Sequence, residues 1–176
     1  QSRGLGDVYK RQMQTRGEWS EYNQTIASLD PSGRGSDETA VSYLSEKNGI
    51  IYLHEVRAYR EGYSDNTLLD ILRGCQKYGA TKMVIETNFG DGIVAELIKK
   101  HCTQTKYFVD IEEVRANVRK EDRIIDSLEP VMNQHRLVVD RKVIEWDFNS
   151  NPGLPPEERI GYMLSLIHIS EPTRLS

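Results

Sequence analysis

Apolar and polar positions first alternate along the chain and later recur at helical spacing. Short runs rich in β-branched and aromatic residues come first and predict three strands. Asn48-Gly49 lies between the second and third, and this pair favours a hairpin turn because it tolerates positive φ. Further along, residues at helical spacing alternate with short, continuously apolar runs of the kind found in buried parallel strands. The predicted strands are 25–29, 39–44, 50–59, 83–85 and 107–114, and the predicted helices are 64–78, 93–100 and 119–132.

The ends of these elements carry their own signals. Ser64 is a favourable N-cap for the first helix, and Gly79 is placed to end it. Pro130 falls near the end of the third helix and should bend or terminate it. Beyond it, 136–140 and 143–146 are predicted to form a short outer hairpin. A Pro- and Gly-rich turn at 151–156 precedes the start of a further helix at 157–164.

The order of elements is β-β-β-α-β-α-β-α, which predicts an α/β fold. Three antiparallel strands followed by crossovers indicate a mixed sheet with helices on both faces. The right-handed crossover rule places the fourth strand beside the first and parallel to it. The five-stranded sheet then has the order 3-2-1-4-5, which is the ribonuclease H-like arrangement.

Composition is that of one ordinary globular domain. Of 176 residues, 38% are hydrophobic and 28% charged, and no apolar run is long enough to span a membrane. Cys75 and Cys102 lack metal-ligand spacing and are interpreted as reduced thiols. The net charge of −4 does not indicate nucleic-acid binding. It does not exclude it either, because a nuclease that binds metal ions needs an acidic site.

The two ends of the chain look foreign to the rest. Residues 1–12 and 165–176 have no periodicity continuous with their neighbours, and they resemble translated sequencing-adapter DNA. We therefore expect one domain at 13–164, cut at its C-terminal side, between two non-native tails. The alternative is an authentic disordered tail at each end.

Two acidic residues follow predicted strands that should be neighbours in the sheet. Asp30 comes directly after the first strand, and Glu86 comes directly after the apolar run Met83-Val84-Ile85. Strands lie about 4.8 Å apart, so both carboxylates can reach one divalent ion. Mg²⁺ and Mn²⁺ prefer such oxygen ligands, and sites in open sheets lie at the carboxyl ends of strands. A turn-forming role for Asp30 is the alternative.

Three stretches carry a family resemblance. SLDPSGRGSDET at 28–39 resembles the first nuclease motif of terminase large subunits from short-tailed phages, and VIETNFGDG at 84–92 is similar to their second. RIIDSLEPVMNQHRL at 123–137 resembles a third characteristic stretch. The resemblance spans about 19–163, so it covers nearly all of the predicted domain.

The resemblance implies a nuclease domain that cleaves concatemeric double-stranded viral DNA with two Mg²⁺ or Mn²⁺ ions held by Asp30 and Glu86. It also implies a preceding ATPase motor domain, a portal and a small terminase subunit as partners, and the host cell cytoplasm as the location. The Gly-rich turn at 31–36 has no Gly-Lys-Ser/Thr, so the motor is not in this sequence. The family's third acidic ligand lies in an Asp-rich helix for which we find no counterpart. The metal site is therefore expected to be incomplete, and Asp126 does not match the pattern.

Other residues near the predicted site have weaker assignments. Asp91 is a candidate metal ligand, and capping of the next helix is an equal alternative. Arg34, Asn88, Arg119 and Lys120 are candidate DNA contacts, since cations and amides bind phosphate oxygen. Ordinary solvated side chains are the alternative for these.

Asp37 also follows Asp30 in the Gly-rich loop. It can reach a metal shell, but stabilising the turn explains it better.

Three function classes remain open at this point. The first is the terminase nuclease. The second is another ribonuclease H-like enzyme, such as a resolvase or transposase core. The third is a non-catalytic module that binds DNA or a partner. This class is retained because the third acidic ligand has no counterpart in the sequence.

Overall fold

The computed structural model describes residues 21–31, 38–87, 92–115 and 120–149. In chain order, the strands and helices are β1 (Gln24–Asp30), β2 (Thr39–Lys47), β3 (Ile50–Tyr59), α1 (Asp65–Tyr78), β4 (Lys82–Glu86), α2 (Ile93–Thr105), β5 (Asp110–Val114), α3 (Lys120–Asn133), β6 (Leu137–Val139) and α4 (Arg141–Asn149).

The strands form one mixed sheet in the order β5-β4-β1-β2-β3-β6. β1, β2 and β3 are antiparallel to their sequence neighbours, whereas β4 lies parallel to β1 and β5 parallel to β4. The predicted order 3-2-1-4-5 is confirmed. A sixth strand, β6, extends the sheet by pairing in parallel with β3.

The hairpin between β2 and β3 turns at Asn48 and Gly49, as the sequence predicts. Both residues have positive φ, 52° and 79°. That conformation is the one a two-residue hairpin turn requires, and it is why this residue pair favours the turn. The Gly49 N–H also donates to Glu46 Oε1 at 2.6 Å, which fixes the end of β2 against the turn.

The first helix begins and ends at the predicted residues. Ser64 Oγ accepts a hydrogen bond from Thr67 N at 3.3 Å and so satisfies one of the N–H groups that have no partner inside the helix. Gly79 adopts the left-handed conformation with φ 69°, and its N–H donates to Gln76 O. Both predicted caps are confirmed.

Helices α1 and α2 cover one face of the sheet. Leu68 and Ile71 of α1 and Ile98 of α2 are fully buried with Leu29 of β1 and Ile85 of β4. This cluster fixes β1 against β4 from one side. A helical cover on the opposite face stays a prediction.

Both cysteines belong to the same core. Cys75 and Cys102 are both buried in it, so they pack in the core and do not lie at the surface.

The prediction of an outer hairpin at 136–140 and 143–146 was wrong. Leu137–Val139 forms β6 beside Ile51–Leu53, and the following stretch is the helix α4. One cause is Asp140, whose Oδ1 accepts a hydrogen bond from Lys142 N and so caps the start of helix α4. The other cause is the free edge of β3, to which β6 pairs; Asp140 N continues this pairing by donating to Leu53 O at 2.9 Å.

Helix α3 continues through Pro130 and ends three residues later, close to the predicted end. The predicted turn at 151–156, the helix at 157–164 and both tails lie outside the described residues. None of the described helices is long and apolar enough to cross a membrane.

Candidate metal centre

The two predicted acidic residues lie at the ends of neighbouring parallel strands. Asp30 is the last residue of β1 and Glu86 the last residue of β4, so each closes its strand rather than following it. The last paired residues of the two strands are Leu29 and Ile85, and the acidic residue comes next in both. At the usual strand spacing of about 4.8 Å, the two backbones place one carboxylate beside the other.

Both carboxylates belong to the same side of the sheet. Side chains alternate between the two faces along a strand. Leu29 and Ile85 point into the core beneath α1 and α2, so Asp30 and Glu86 belong to the opposite face. Both are partly accessible there. Two half-exposed carboxylates on adjacent strands are the kind of oxygen donors that a hard divalent ion prefers, since such an ion keeps several of its waters.

The flanking strands complete the surroundings. Ala40 of β2 pairs with Asp30 on one side, and Val114 of β5 pairs with Glu86 on the other. Thr87 N donates to Val114 O at 2.9 Å, which continues the β4–β5 pairing past Glu86. The site is therefore anchored on both sides by strand pairing and not by loops.

Within the described ranges, no group of three or more His, Cys, Asp or Glu side chains is placed to hold a metal ion. Asp126 is exposed on α3. In the described part of the chain, the candidate site thus consists of two carboxylates with no third acidic side chain grouped beside them.

Several predicted site residues lie outside the described ranges. These are Arg34, Asp37, Asn88, Asp91 and Arg119, and the side chain of Lys120. Their assignments stay predictions.

A cluster of charged side chains on β3 and α1 was not predicted from the sequence. Glu55 accepts from Arg57, from Lys77 Nζ at 3.1 Å and from Tyr78 Oη at 2.7 Å, and Arg57 Nη1 also donates to Asp70 at 2.8 Å. Burial alone raises the pKa of Glu55, but these hydrogen bonds outweigh burial and hold the pKa at about 2. The alternation along β3, with Glu55 and Arg57 on one face, was the available signal.

This cluster lies away from the acidic pair. It borders a groove of about 400 Å³ between β3, the end of α1 and α4, and neither Asp30 nor Glu86 lines the groove. Its contacts join α1 to the sheet, which is a structural role.

A mixed sheet of this order, with acidic residues at the ends of the adjacent parallel strands β1 and β4, defines a ribonuclease H-like domain. Comparison with known proteins identifies the family within this class of domains. The family model of the bacteriophage T7 terminase ribonuclease H-like domain matches residues 29–137. The chain is 38% identical over 149 residues to the terminase large subunit of Enterobacteria phage T3, a match that covers 82% of this chain and 24% of that protein.

Solved structures agree on the fold. The human cytomegalovirus terminase nuclease domain, soaked with Mn and bound to an inhibitor, aligns with a TM-score of 0.52 at 13% identity and covers 84% of this chain and 81% of its own. The phage P22 large terminase nuclease domain aligns with a TM-score of 0.51 at 12% identity, covering 74% and 68%. The chain belongs to the terminase large-subunit family and corresponds to its ribonuclease H-like nuclease domain. It spans about a quarter of the T3 protein's length.

Proposed function

We propose that this chain is the metal-dependent endonuclease domain of a DNA-packaging terminase, and that it cleaves concatemeric double-stranded DNA. The observation that carries the proposal is the placement of Asp30 and Glu86 at the ends of adjacent parallel strands, on the same face. Family membership supports a nuclease and leaves no reason to prefer a resolvase or transposase core.

In this proposal Asp30 and Glu86 are the metal ligands. A bound Mg²⁺ or Mn²⁺ supplies Lewis acidity and charge neutralisation for phosphodiester hydrolysis. The two carboxylates hold it at the carboxyl ends of β1 and β4, and the paired backbones of these strands fix their separation. The manganese soak of the cytomegalovirus relative supports the choice of metal.

The third acidic ligand of this proposal comes from a stretch C-terminal to the residues that carry the family motifs, in a longer protein. Asp91 is the first alternative within the chain, and Asp126 the second. The proposed partners are duplex DNA, an ATPase motor domain in the same polypeptide, the portal and the small terminase subunit, all in the host cell cytoplasm. The length of the T3 relative leaves room for a motor domain.

Cleavage of supercoiled plasmid by a longer protein that contains this chain tests the proposal. We expect Asp30→Asn or Glu86→Gln to lower the nicking rate by at least about a hundredfold, since even an outer-shell partner of a metal contributes about 10- to 100-fold. Circular dichroism should show an unchanged fold, because both side chains are partly accessible at strand ends.

Two matched variants serve as controls. Asp110→Asn removes a charge at the opposite end of the sheet, and Glu145→Gln removes one from the exposed side of α4. Both should nick at the unmodified rate. Retained nicking by either Asp30→Asn or Glu86→Gln contradicts the assignment. A longer protein that binds DNA and never nicks it supports the alternative of a non-catalytic module.

A further inference from the structure

The end of the sheet that carries the acidic pair also carries two arginines. Arg60 directly follows β3, and Arg115 directly follows β5. The Arg60 side chain is 91% exposed, and Arg115 is also exposed. Among the described residues that adjoin this end of β1 to β5, these two are the basic ones.

The strand register places the arginines on either side of Asp30. On one side, Asp30 pairs with Ala40 of β2, which pairs with Ala58 of β3, two residues before Arg60. On the other side, β4 and then β5 follow, and β5 leads into Arg115. Each arginine is thus two strands away from β1. Four strand spacings of about 4.8 Å separate the two, or about 19 Å.

Among the described residues, the charged side chains between the two arginines are negative. Asp30, Glu38 and Glu86 lie along this stretch of the sheet end. A polyanion is repelled there until divalent ions neutralise the carboxylates, and it is attracted at the two ends of the row. One strand of duplex DNA carries a phosphate every 3.4 Å or so along the axis, so about 19 Å corresponds to five or six base pairs.

We propose that Arg60 and Arg115 bind backbone phosphates on either side of the cleavage site and orient the duplex. Its axis then runs across the strand ends from β3 to β5, with Asp30 and Glu86 between the two contacts. Such contacts fix register and orientation without reading sequence. This inference rests on the proposed function and adds to it the residues that position the substrate.

Glu38 restrains one of the two arginines. Arg60 Nε donates to Glu38 Oε1 at 3.0 Å, and the Glu38 side chain is 42% exposed. An exposed ion pair of this kind contributes only about 0–1 kcal/mol, so a phosphate can displace it. Removing the Glu38 charge therefore favours DNA binding.

The experiment measures binding of a fluorescent duplex of about 20 base pairs to the full 176-residue chain by anisotropy, at several salt concentrations. Ca²⁺ replaces Mg²⁺, because it takes similar oxygen ligands. The variants are Arg60→Ala, Arg115→Ala, their combination and Glu38→Gln. Arg73→Ala is the matched control, since Arg73 is an exposed arginine in the middle of α1.

Each phosphate contact contributes about 0.9 to the slope of log K against log salt concentration, which corresponds to about eightfold in affinity at 0.1 M salt. We expect that loss for Arg60→Ala and for Arg115→Ala, and about sixtyfold for the combination, with the slope lowered by about 1 per arginine. Glu38→Gln should bind more tightly than the unmodified chain, and Arg73→Ala should bind equally.

The outcomes separate this inference from the function on which it rests. If the unmodified chain binds the duplex and both arginine variants keep its affinity and salt slope, the inference is wrong while the nuclease proposal stands. If Arg73→Ala weakens binding as much as Arg60→Ala does, the effect is that of net charge, and the inference is also wrong. If the unmodified chain does not bind the duplex even at low salt, both the inference and a DNA substrate at this end of the sheet are overturned.

Discussion

Replacing Gly74 by alanine should destabilise the domain, although alanine is the better helix former. Gly74 lies in α1 where this helix crosses Tyr43 of β2, and Tyr43 is fully buried. A Cβ atom at Gly74 would lie 2.9 Å from Tyr43 Cε1 and closer still to Cζ and the hydroxyl oxygen. The ring cannot move aside easily, because its hydroxyl donates to Ile71 O at 2.9 Å.

The magnitude follows from two opposing effects. Overpacking a core typically costs about 1–3 kcal/mol, and the upper part of that range applies to a rigid, hydrogen-bonded ring. Replacing glycine by alanine inside a helix by itself stabilises the folded chain by about 1 kcal/mol. We therefore expect Gly74→Ala to lower the free energy of unfolding by about 2 kcal/mol, or the melting temperature by about 4–8 °C in a chain of this size.

Urea unfolding followed by circular dichroism measures this difference. Arg73→Ala is the control, because it changes the neighbouring exposed residue of the same helix and should stay within about 0.5 kcal/mol of the unmodified chain. In a Tyr43→Phe background, where the clashing hydroxyl is gone, Gly74→Ala should cost less. A Gly74→Ala variant as stable as the unmodified chain would refute the close packing of α1 on β2.

Three further predictions follow from the fold and the site. Hydrogen bonds hold the pKa of Glu55 at about 2, against 4.5 for the free group, so the stability that its charge contributes is present above about pH 4.5 and is lost as the pH falls towards 2. The difference in unfolding free energy between the unmodified chain and Glu55→Gln should therefore shrink over that pH range. A constant difference would show that the charge is not involved. Burial raises the pKa of the Cys75 thiol to about 12, so iodoacetamide at pH 8 should label Cys75 only after unfolding, and rapid labelling of the native chain would contradict its burial. The 176-residue chain should nick plasmid in Mn²⁺ much more slowly than a longer protein with the third acidic ligand; equal rates would point to Asp91 or Asp126 as that ligand.

The central part of the sheet could be predicted from sequence because its signals are local. Asn48-Gly49 fixes the β2–β3 hairpin through its positive φ, and Ser64 and Gly79 mark the two ends of α1. The positions of Asp30 and Glu86 at neighbouring strand ends then follow from the crossover rule. Their roles as metal ligands stay a prediction, since topology alone places carboxylates without assigning their chemistry.

The outer edge of the sheet was not predictable in the same way. β6 is only three residues long and is held by a partner far away in sequence, as in the bond from Arg136 Nη1 to Gly49 O at 3.1 Å. Its apolar residues fit a hairpin equally well by pattern alone. Asp140 is the local signal for a helix start, but the stretch after it, Val143 to Trp146, contains apolar residues that suit a strand equally well.

The pairing of β1 with β4 also determines when the acidic site comes into existence during folding. The β2–β3 hairpin closes across a two-residue turn, and isolated hairpins form within about 1–10 μs. Asp30 and Glu86, by contrast, are 56 positions apart in the sequence. Pairing β1 with β4 must overcome the entropic cost of closing so long a loop, which slows this step. We therefore expect the antiparallel part of the sheet to form first and β4 and α1 to dock onto it. In a chain still emerging from the ribosome Asp30 comes before Glu86, so we expect the two carboxylates to come together only once β4 has paired with β1.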